Sequence, residues 1–412
     1  MSTRVARPVL PSDPLLRRAK LGVTAAFVAH AVLFSSWVAH IPQVKAELEL
    51  SNGQLGAALF GAPLGSVISM VLSHWALPRW GSHRLVPINL AGYAASGLTV
   101  GLAGSGRWLF AALALWGMFQ GGLDVAMNTQ AGTVERLAAT PLMARFHGMW
   151  SVGAFLGALI GTVCVTAGVR LTTQLAVLGA IVLIVAAALN LGVIADRHAG
   201  AAAEATGRPG KRAWMTTTVA ILGAVAFISL LCEGAAADWS ANYLQDVLGD
   251  GPQDGDGIAG LGFAGFTLAM VVTRLGGPRL QSRIASRRLL PVLAMLAATG
   301  MTVALISANP VLSVLGFATL GAGVALLVPT AFSAAYSATT AGSAIALVAA
   351  IGWLGYLMGP PLIGFLADLI GLPGALVTIP LMISIAAVAI HYTDAFEAAD
   401  QFHRDAVTSP AD

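Results

Sequence analysis

The chain has 412 residues, of which 57% are hydrophobic, only 10% are charged and 47 are glycine, with a formal net charge of +3 and a mean hydropathy of +0.80. A soluble globular chain carries about 25% charged residues. The composition excludes a water-soluble enzyme, a disordered chain and a nucleic-acid binder with a basic face.

Segment 1–18 carries Arg4, Arg7, Arg17 and Arg18 ahead of a full-length apolar run that lacks a small-residue cleavage site. This predicts a cytoplasmic tail and an uncleaved first helix. One bilayer crossing needs about 20 apolar residues. Apolar runs between charges and Gly/Pro/Asn punctuation predict twelve spans: 19–42, 53–75, 85–105, 108–134, 144–168, 171–195, 214–244, 257–278, 289–308, 310–337, 343–367 and 371–392. From Leu289 to Ala367 there is no Asp, Glu, Lys or Arg. A membrane barrel needs short alternating strands, and none occur. The predicted fold class is therefore an all-α membrane protein with twelve transmembrane helices.

With the N-terminus inside, only Lys45, Arg107 and Arg170 of the 22 Lys and Arg fall outside, which predicts a multi-pass protein of the cytoplasmic (inner) membrane with both termini cytoplasmic. The outer loop after span seven holds Asp246, Asp250, Asp254 and Asp256. It lacks the EF-hand spacing and closing Glu, so it reads as a solvated glycine-rich turn in preference to a calcium loop. Cys164 and Cys232 lie in apolar runs and read as small core residues. With no zinc-spaced cluster and no phosphate-binding glycine loop, no metal, cofactor or catalytic residue is expected.

The two halves repeat. Trp37 matches Trp239, Pro78-Arg79 matches Pro278-Arg279, and Trp150 with the glycines after it matches Trp353-Leu354-Gly355, each at an offset of about two hundred residues in chain order. The repeat divides the chain into a six-helix bundle at 19–195, a cytoplasmic linker at 196–213, a second bundle at 214–392 and a cytoplasmic tail at 393–412. The linker's Arg197, Arg208, Lys211 and Arg212 face anionic lipid, which accounts for them without a protein partner.

An ionised side chain at bilayer depth costs about 2.5–3.5 kcal/mol even on lenient scales, so Asp124 in span four is the most informative residue. Gln120, Asp124 and Asn128 recur every four residues and form one polar stripe on a helix face. Burial disfavours the charged form of a carboxyl, the property a reversible proton carrier needs. Asp124 is accordingly read as a proton-coupling site in preference to a structural carboxyl. In span seven, Glu233 is either a second proton site, an acceptor for solute hydroxyls or an amine, or the partner of a buried polar group. Asp238 is five residues on and is expected to point elsewhere. It reads as an extracellular gate or as an interfacial anchor beside Trp239, Asn242 and Tyr243.

In span one, His30, Leu33, Trp37 and His40 share a face. Trp37 is placed in a cavity, and His40 is either a cavity group or an interfacial histidine. In span five, His147, Trp150 and Ser151 share a face, with Arg145 at the cytoplasmic entrance. Trp150 and Trp353, the latter near Tyr356, are expected to look across a central cavity. Indole faces stack on the apolar faces of sugar-like rings, whose hydroxyls need partners such as Gln120, Asn128 and Asn242. Gly153, Gly157 and Gly161 are expected to let helices approach closely.

Two parallel six-helix halves with a basic central loop resemble the major facilitator superfamily of secondary transporters, over about residues 19–392. The run Gly122-Leu123-Asp124-Val125-Ala126-Met127-Asn128 is similar to the acidic span-four motif of fucose:proton symporters. Three runs, Ser36-Trp37-Val38-Ala39-His40-Ile41-Pro42, Phe146-His147-Gly148-Met149-Trp150-Ser151 and Glu233-Gly234-Ala235-Ala236-Ala237-Asp238-Trp239-Ser240, resemble the rhizopine-transporter-like branch. The chain departs from the superfamily where Pro78 replaces the acid of the loop between spans two and three, and in lacking the span-five Gly-Pro antiporter signature.

The resemblance implies a secondary active transporter with a pseudo-symmetric major facilitator fold, moving a sugar-like or cyclitol solute, with proton symport as the favoured coupling. The expected partners are a small-molecule substrate, protons and membrane lipid, with no nucleic acid, and the chain is expected to act as a monomer. Proton-coupled efflux of an amphipathic compound and a non-transporting membrane receptor are the alternatives.

Overall fold

The computed structural model describes residues 13–138, 142–189, 194, 216–248, 259–338 and 343–397. The linker's Arg197, Arg208, Lys211 and Arg212, the loop's Asp250, Asp254 and Asp256, and most of both predicted tails lie outside the described residues. The described elements are all helices, in the order α1 (Asp13–Val38), α2 (Ile41–Glu47), α3 (Asn52–Leu59), α4 (Gly61–Trp80), α5 (Ser82–Gly101), α6 (Gly106–Ala138), α7 (Met143–Thr166), α8 (Leu171–Leu189), α9 (Thr217–Leu248), α10 (Leu261–Gln281), α11 (Ser286–Ser307), α12 (Pro310–Val324), α13 (Leu327–Ala338), α14 (Ser343–Leu376) and α15 (Thr378–Tyr392). Among the described residues, nine helical stretches are long and apolar enough to cross a membrane, and two shorter apolar helices lie at Leu171–Val185 and Thr378–Tyr392.

Each predicted span coincides with one helix or with a pair separated by a break, and the breaks have local causes. The first span stops at Val38, short of 42: Pro42 opens α2 after a turn at Ala39–His40. Span two is divided at Phe60 into α3 and α4, where Pro63 deprives the Leu59 carbonyl of its donor four residues on. Span ten divides at Ala325–Leu326 for the same reason, since Pro329 cannot donate to Ala325. Gly371, at φ 78°, interrupts α14 at the predicted boundary between spans eleven and twelve, a backbone conformation that favours glycine.

Within the first half, α1 packs on α7, α4 on α6, and α5 on α6 and α8; within the second, α9 packs on α14, α10 on α12, and α11 on α12 and α15. The α1–α7 contact shows why the glycine stripe is there. A Cβ on Gly153 or Gly157 would lie 2.9 or 2.7 Å from the Val28 or Val32 carbonyl oxygen, and one on Gly161 would strike that of Ser36. Close backbone approach of this kind is the usual role of small residues between membrane helices.

The two halves meet through α3 with α14 and α7 with α10. Near the α2–α3 end, Gly56 abuts the Pro360 backbone and Gly364, and Gly260 abuts Thr162 and Ala39. Two hydrogen bonds join the halves there: the Ser51 hydroxyl donates to Asp368 Oδ2 at 2.8 Å, and the Gly53 N–H donates to the same oxygen at 3.0 Å. The Asp368 carboxylate of α14 thus caps α3 of the opposite half. The halves are sealed at this end, and a cavity lies beyond the seal.

Candidate functional site

The cavity, of about 250 Å³, is lined from both halves. Helix α1 contributes Phe27, His30, Phe34 and Trp37; α6 contributes Trp116, Gln120 and Asp124; α7 contributes His147 and Trp150. Facing them are Glu233 and Asp238 of α9, Arg274 of α10, and Trp353 and Tyr356 of α14.

Aromatic faces from both halves and three carboxyl groups therefore share one chamber. Trp150 and Trp353 line it from opposite halves, and Trp353 packs edge-on to Tyr356 with ring centroids 5.7 Å apart. The Gln120-Asp124-Asn128 stripe persists: Gln120 and Asp124 border the cavity, and Asn128 Nδ2 donates to Asp124 Oδ1 at 3.1 Å and to its backbone oxygen at 2.8 Å. Asn128 orients the carboxyl from one turn along the helix and is not itself a lining residue.

Glu233 and Asp238 both border the cavity, although five residues separate them on one helix. Together with Leu230 they are the residues that α9 contributes to the lining, and no hydrogen bond joins the two carboxyls to each other among the described residues. Asp238 sits with the cavity-lining groups. Glu233 pairs with Arg274, Nη2 to Oε1 at 3.5 Å. Arg274 was missed as a candidate because it lies four residues before Pro278-Arg279 and reads as part of the cytoplasmic end. A basic residue inside a predicted span was the signal. Its Nε donates to the Ala325 carbonyl at 3.3 Å, the acceptor freed by Pro329. The broken helix thus supplies the anchor that aims Arg274 at Glu233.

Other candidates lie outside the lining. His40 is buried near the seal, with its ring nitrogens 2.8 Å from Gln43 Oε1 and 2.9 Å from Gln174 Oε1, while Gln174 Nε2 donates to the Ser36 carbonyl at 3.0 Å. Ser151 donates to the His147 carbonyl. Trp239 is fully buried and touches Gly364. Asn242 Nδ2 donates to the Asp238 backbone oxygen at 3.3 Å, and the Tyr243 hydroxyl donates to Ala304 O at 2.9 Å. His40, Ser151, Asn242 and Tyr243 thus bond within their own half, whereas the buried Trp239 indole N–H has no hydrogen-bond partner among the described residues. Arg145 is exposed near the start of α7.

The chain's similarities to known proteins agree with this architecture. The sequence profile of the Major Facilitator Superfamily matches residues 22–341. The chain is 32% identical over 349 residues to "Uncharacterized transporter y4wD" of Sinorhizobium fredii, covering 84% of this chain and 90% of the relative. It is 30% identical over 380 residues to "Membrane protein MosC" of Rhizobium meliloti, covering 91% of each. Among solved structures, the nucleoside transporter NupG superposes with a TM-score of 0.66 at 15% identity, covering 92% of this chain and 98% of that one. A bacterial homolog of the human lysosomal transporter Spinster, in an inward-facing and unoccupied conformation, gives 0.65 at 15% identity, covering 97% of this chain and all of that one. Likeness at such low identity is likeness of fold, here two bundles around a central cavity.

Proposed function

The chain belongs to the Major Facilitator Superfamily of membrane transporters, and we propose on that footing that it carries a small polar cyclic solute, sugar-like or cyclitol-like, by proton-coupled symport. The observation that carries this reading is the lining of the cavity, in which Trp37, Trp150, Trp353 and Tyr356 surround Asp124, Glu233 and Asp238. Indoles offer flat apolar faces to a saturated ring, and Gln120 with the carboxyls offers partners to its hydroxyls. Drug-sized ligands occupy pockets of about 300–1,000 Å³; a cavity of about 250 Å³ suits a single-ring solute better.

In this reading the seal of α3 on α14 is the outer gate in its closed position, with both termini in the cytoplasm of a bacterial-type inner membrane. The division at 196–213 separates the two rocking bodies, and the monomer is the working unit. Asp124 takes the proton. Its one described side-chain partner is Asn128 on its own helix, so gain or loss of a proton there breaks no ion pair. Neutralising the carboxyl lowers the cost of enclosing it when the halves close, which ties proton binding to the transition. Glu233, already matched by Arg274, serves the solute.

A second reading, export of an amphipathic cation, draws on the apolar part of the lining, Phe27, Phe34, Met70 and Met127. Thermal stabilisation of the purified protein separates the two. Inositols, amino-inositols, hexoses and lipophilic cations are compared for the unaltered protein and for Trp150→Ala with Trp353→Ala. Stabilisation by one polyol class, lost in the double variant, supports the proposal. Stabilisation by the cations alone replaces it with export.

A further inference from the structure

His30 has no part in the proton and solute roles assigned above, yet it lies at the wall of the same chamber and is 4% exposed. Its Nδ1 is 2.9 Å from Trp150 Nε1. An indole N–H is a donor only, so Nδ1 must present its lone pair. An imidazolium, with N–H on both nitrogens, would set two donors against each other. The geometry therefore selects the neutral ring with its proton on Nε2, and the Gln120 backbone is the other polar group set against the ring. The bond to Trp150 is the side-chain hydrogen bond of the ring among the described residues.

The ring is held from behind as well. It stacks on Tyr93 with centroids 5.6 Å apart and planes at 26°, and Tyr93 stacks on Trp116 at 4.8 Å and 19°. Trp116 Nε1 donates to the Tyr93 carbonyl at 3.0 Å. Helices α1, α5 and α6 thereby build a rigid aromatic stack whose last member offers one acceptor to an indole of α7. The titratable and charged groups around this corner are Tyr93 from α5, Asp124 from α6 and His147 from α7, with Glu233, Asp238, Arg274 and Tyr356 across the chamber.

We infer that His30 is a positioning residue that works as a fixed neutral acceptor, locking the Trp150 indole in the plane in which it meets the solute, and that it is not a proton carrier. The inference rests on the reading of Trp150 as a solute-stacking surface, but its first test needs no solute. In protein carrying ¹⁵N-tryptophan, the Trp150 indole N–H signal is assigned by its loss in Trp150→Phe. It is expected downfield and protected from exchange, unchanged in position between pH 5.5 and 8. It should persist in His30→Gln, whose amide oxygen still accepts, and lose its protection at least tenfold in His30→Leu. A signal that exchanges as fast as that of the exposed Trp80, or that moves as a titration over this pH range, overturns the inference.

The second test uses labelled myo-inositol. His30→Gln is expected to bind it within about twofold of the unaltered protein and to keep pH-driven uptake. His30→Leu is expected to weaken binding about tenfold, with no added loss when placed on Trp150→Phe. Loss of pH-driven uptake in His30→Gln would make His30 a carrier, and additive losses in the pair would make its role general packing; either overturns the inference. Absence of any myo-inositol binding counts against the proposed solute class alone, and the indole signal then decides the role of His30.

Discussion

At the residue scale, the three cavity carboxyls differ in how they are matched. Asp124 is matched by an amide of its own helix and Glu233 by a guanidinium, whereas neither kind of group pairs with the Asp238 carboxyl among the described residues. Breaking the Glu233–Arg274 pair leaves a partly buried charge without its partner. Such orphaned groups cost about 1–3 kcal/mol, and the low end applies here because the Arg274 and Glu233 side chains are 31% and 21% exposed. Arg274→Gln is therefore expected to lower the thermal midpoint by a few degrees, and adding Glu233→Gln should recover most of the loss. A neutral single variant would contradict this matching.

These pairings also mark how far the sequence could be read. The Gln120-Asp124-Asn128 stripe was legible because four-residue spacing places groups on one face of one helix whatever the helix packs against. Trp37, Trp150, Trp353 and Tyr356 were legible as aromatic residues in or beside repeated positions. His30 with Trp150 and Glu233 with Arg274 were not, because each joins two helices, and spacing along a chain carries no information about azimuth between helices. Asn242 and Tyr243 were named for their polarity, but their polar atoms bond within their own half. Ala325 gave no sign of use; its carbonyl became an acceptor only through Pro329 four residues later.

At the scale of elements, backbone proximity sets the order of tolerance. Gly157 faces the Val32 backbone, so Gly157→Val must push α1 from α7; overpacking of this kind costs about 1–3 kcal/mol, and a lower melting temperature is expected. Gly148 lies in the same helix with nothing within 4 Å of where a Cβ would stand. Gly148→Ala is expected to be neutral or to stabilise by up to about 1 kcal/mol through helix propensity. Equal effects at the two sites would refute the close-approach account.

The Asp368 cap on α3 makes a different prediction. Removing it deletes two hydrogen bonds between the halves, so Asp368→Ala should favour opening of that end. In a background with Cys164 and Cys232 replaced by alanine, a cysteine at Ser66, a buried cavity-lining position, should react several-fold faster with an impermeant thiol reagent applied from the α2–α3 side. An unchanged rate would show that the seal does not depend on the carboxylate.

For the whole molecule, the length of the apolar runs carried the helix order into the structure almost unchanged. Breaks within predicted spans fall at Pro42, Pro63 and Pro329, where a missing backbone donor interrupts a run that hydropathy alone reads as continuous. What joins the elements into a transporter is one chamber between two halves, sealed at one end, with titratable groups inside it. Proton-coupled movement of a polyol is the central claim made for that arrangement.

The most direct test is accumulation of labelled inositols and hexoses in sealed proteoliposomes under an imposed pH gradient, alkaline inside, with Asp124→Asn in parallel. The account predicts uptake of one polyol class that follows the gradient, and in Asp124→Asn a loss of gradient-driven accumulation, tenfold or more, with solute counterflow retained. Gradient-driven uptake that is unchanged in Asp124→Asn would contradict the assignment of the proton to that carboxyl. Expulsion of the polyol under the same gradient would contradict symport itself.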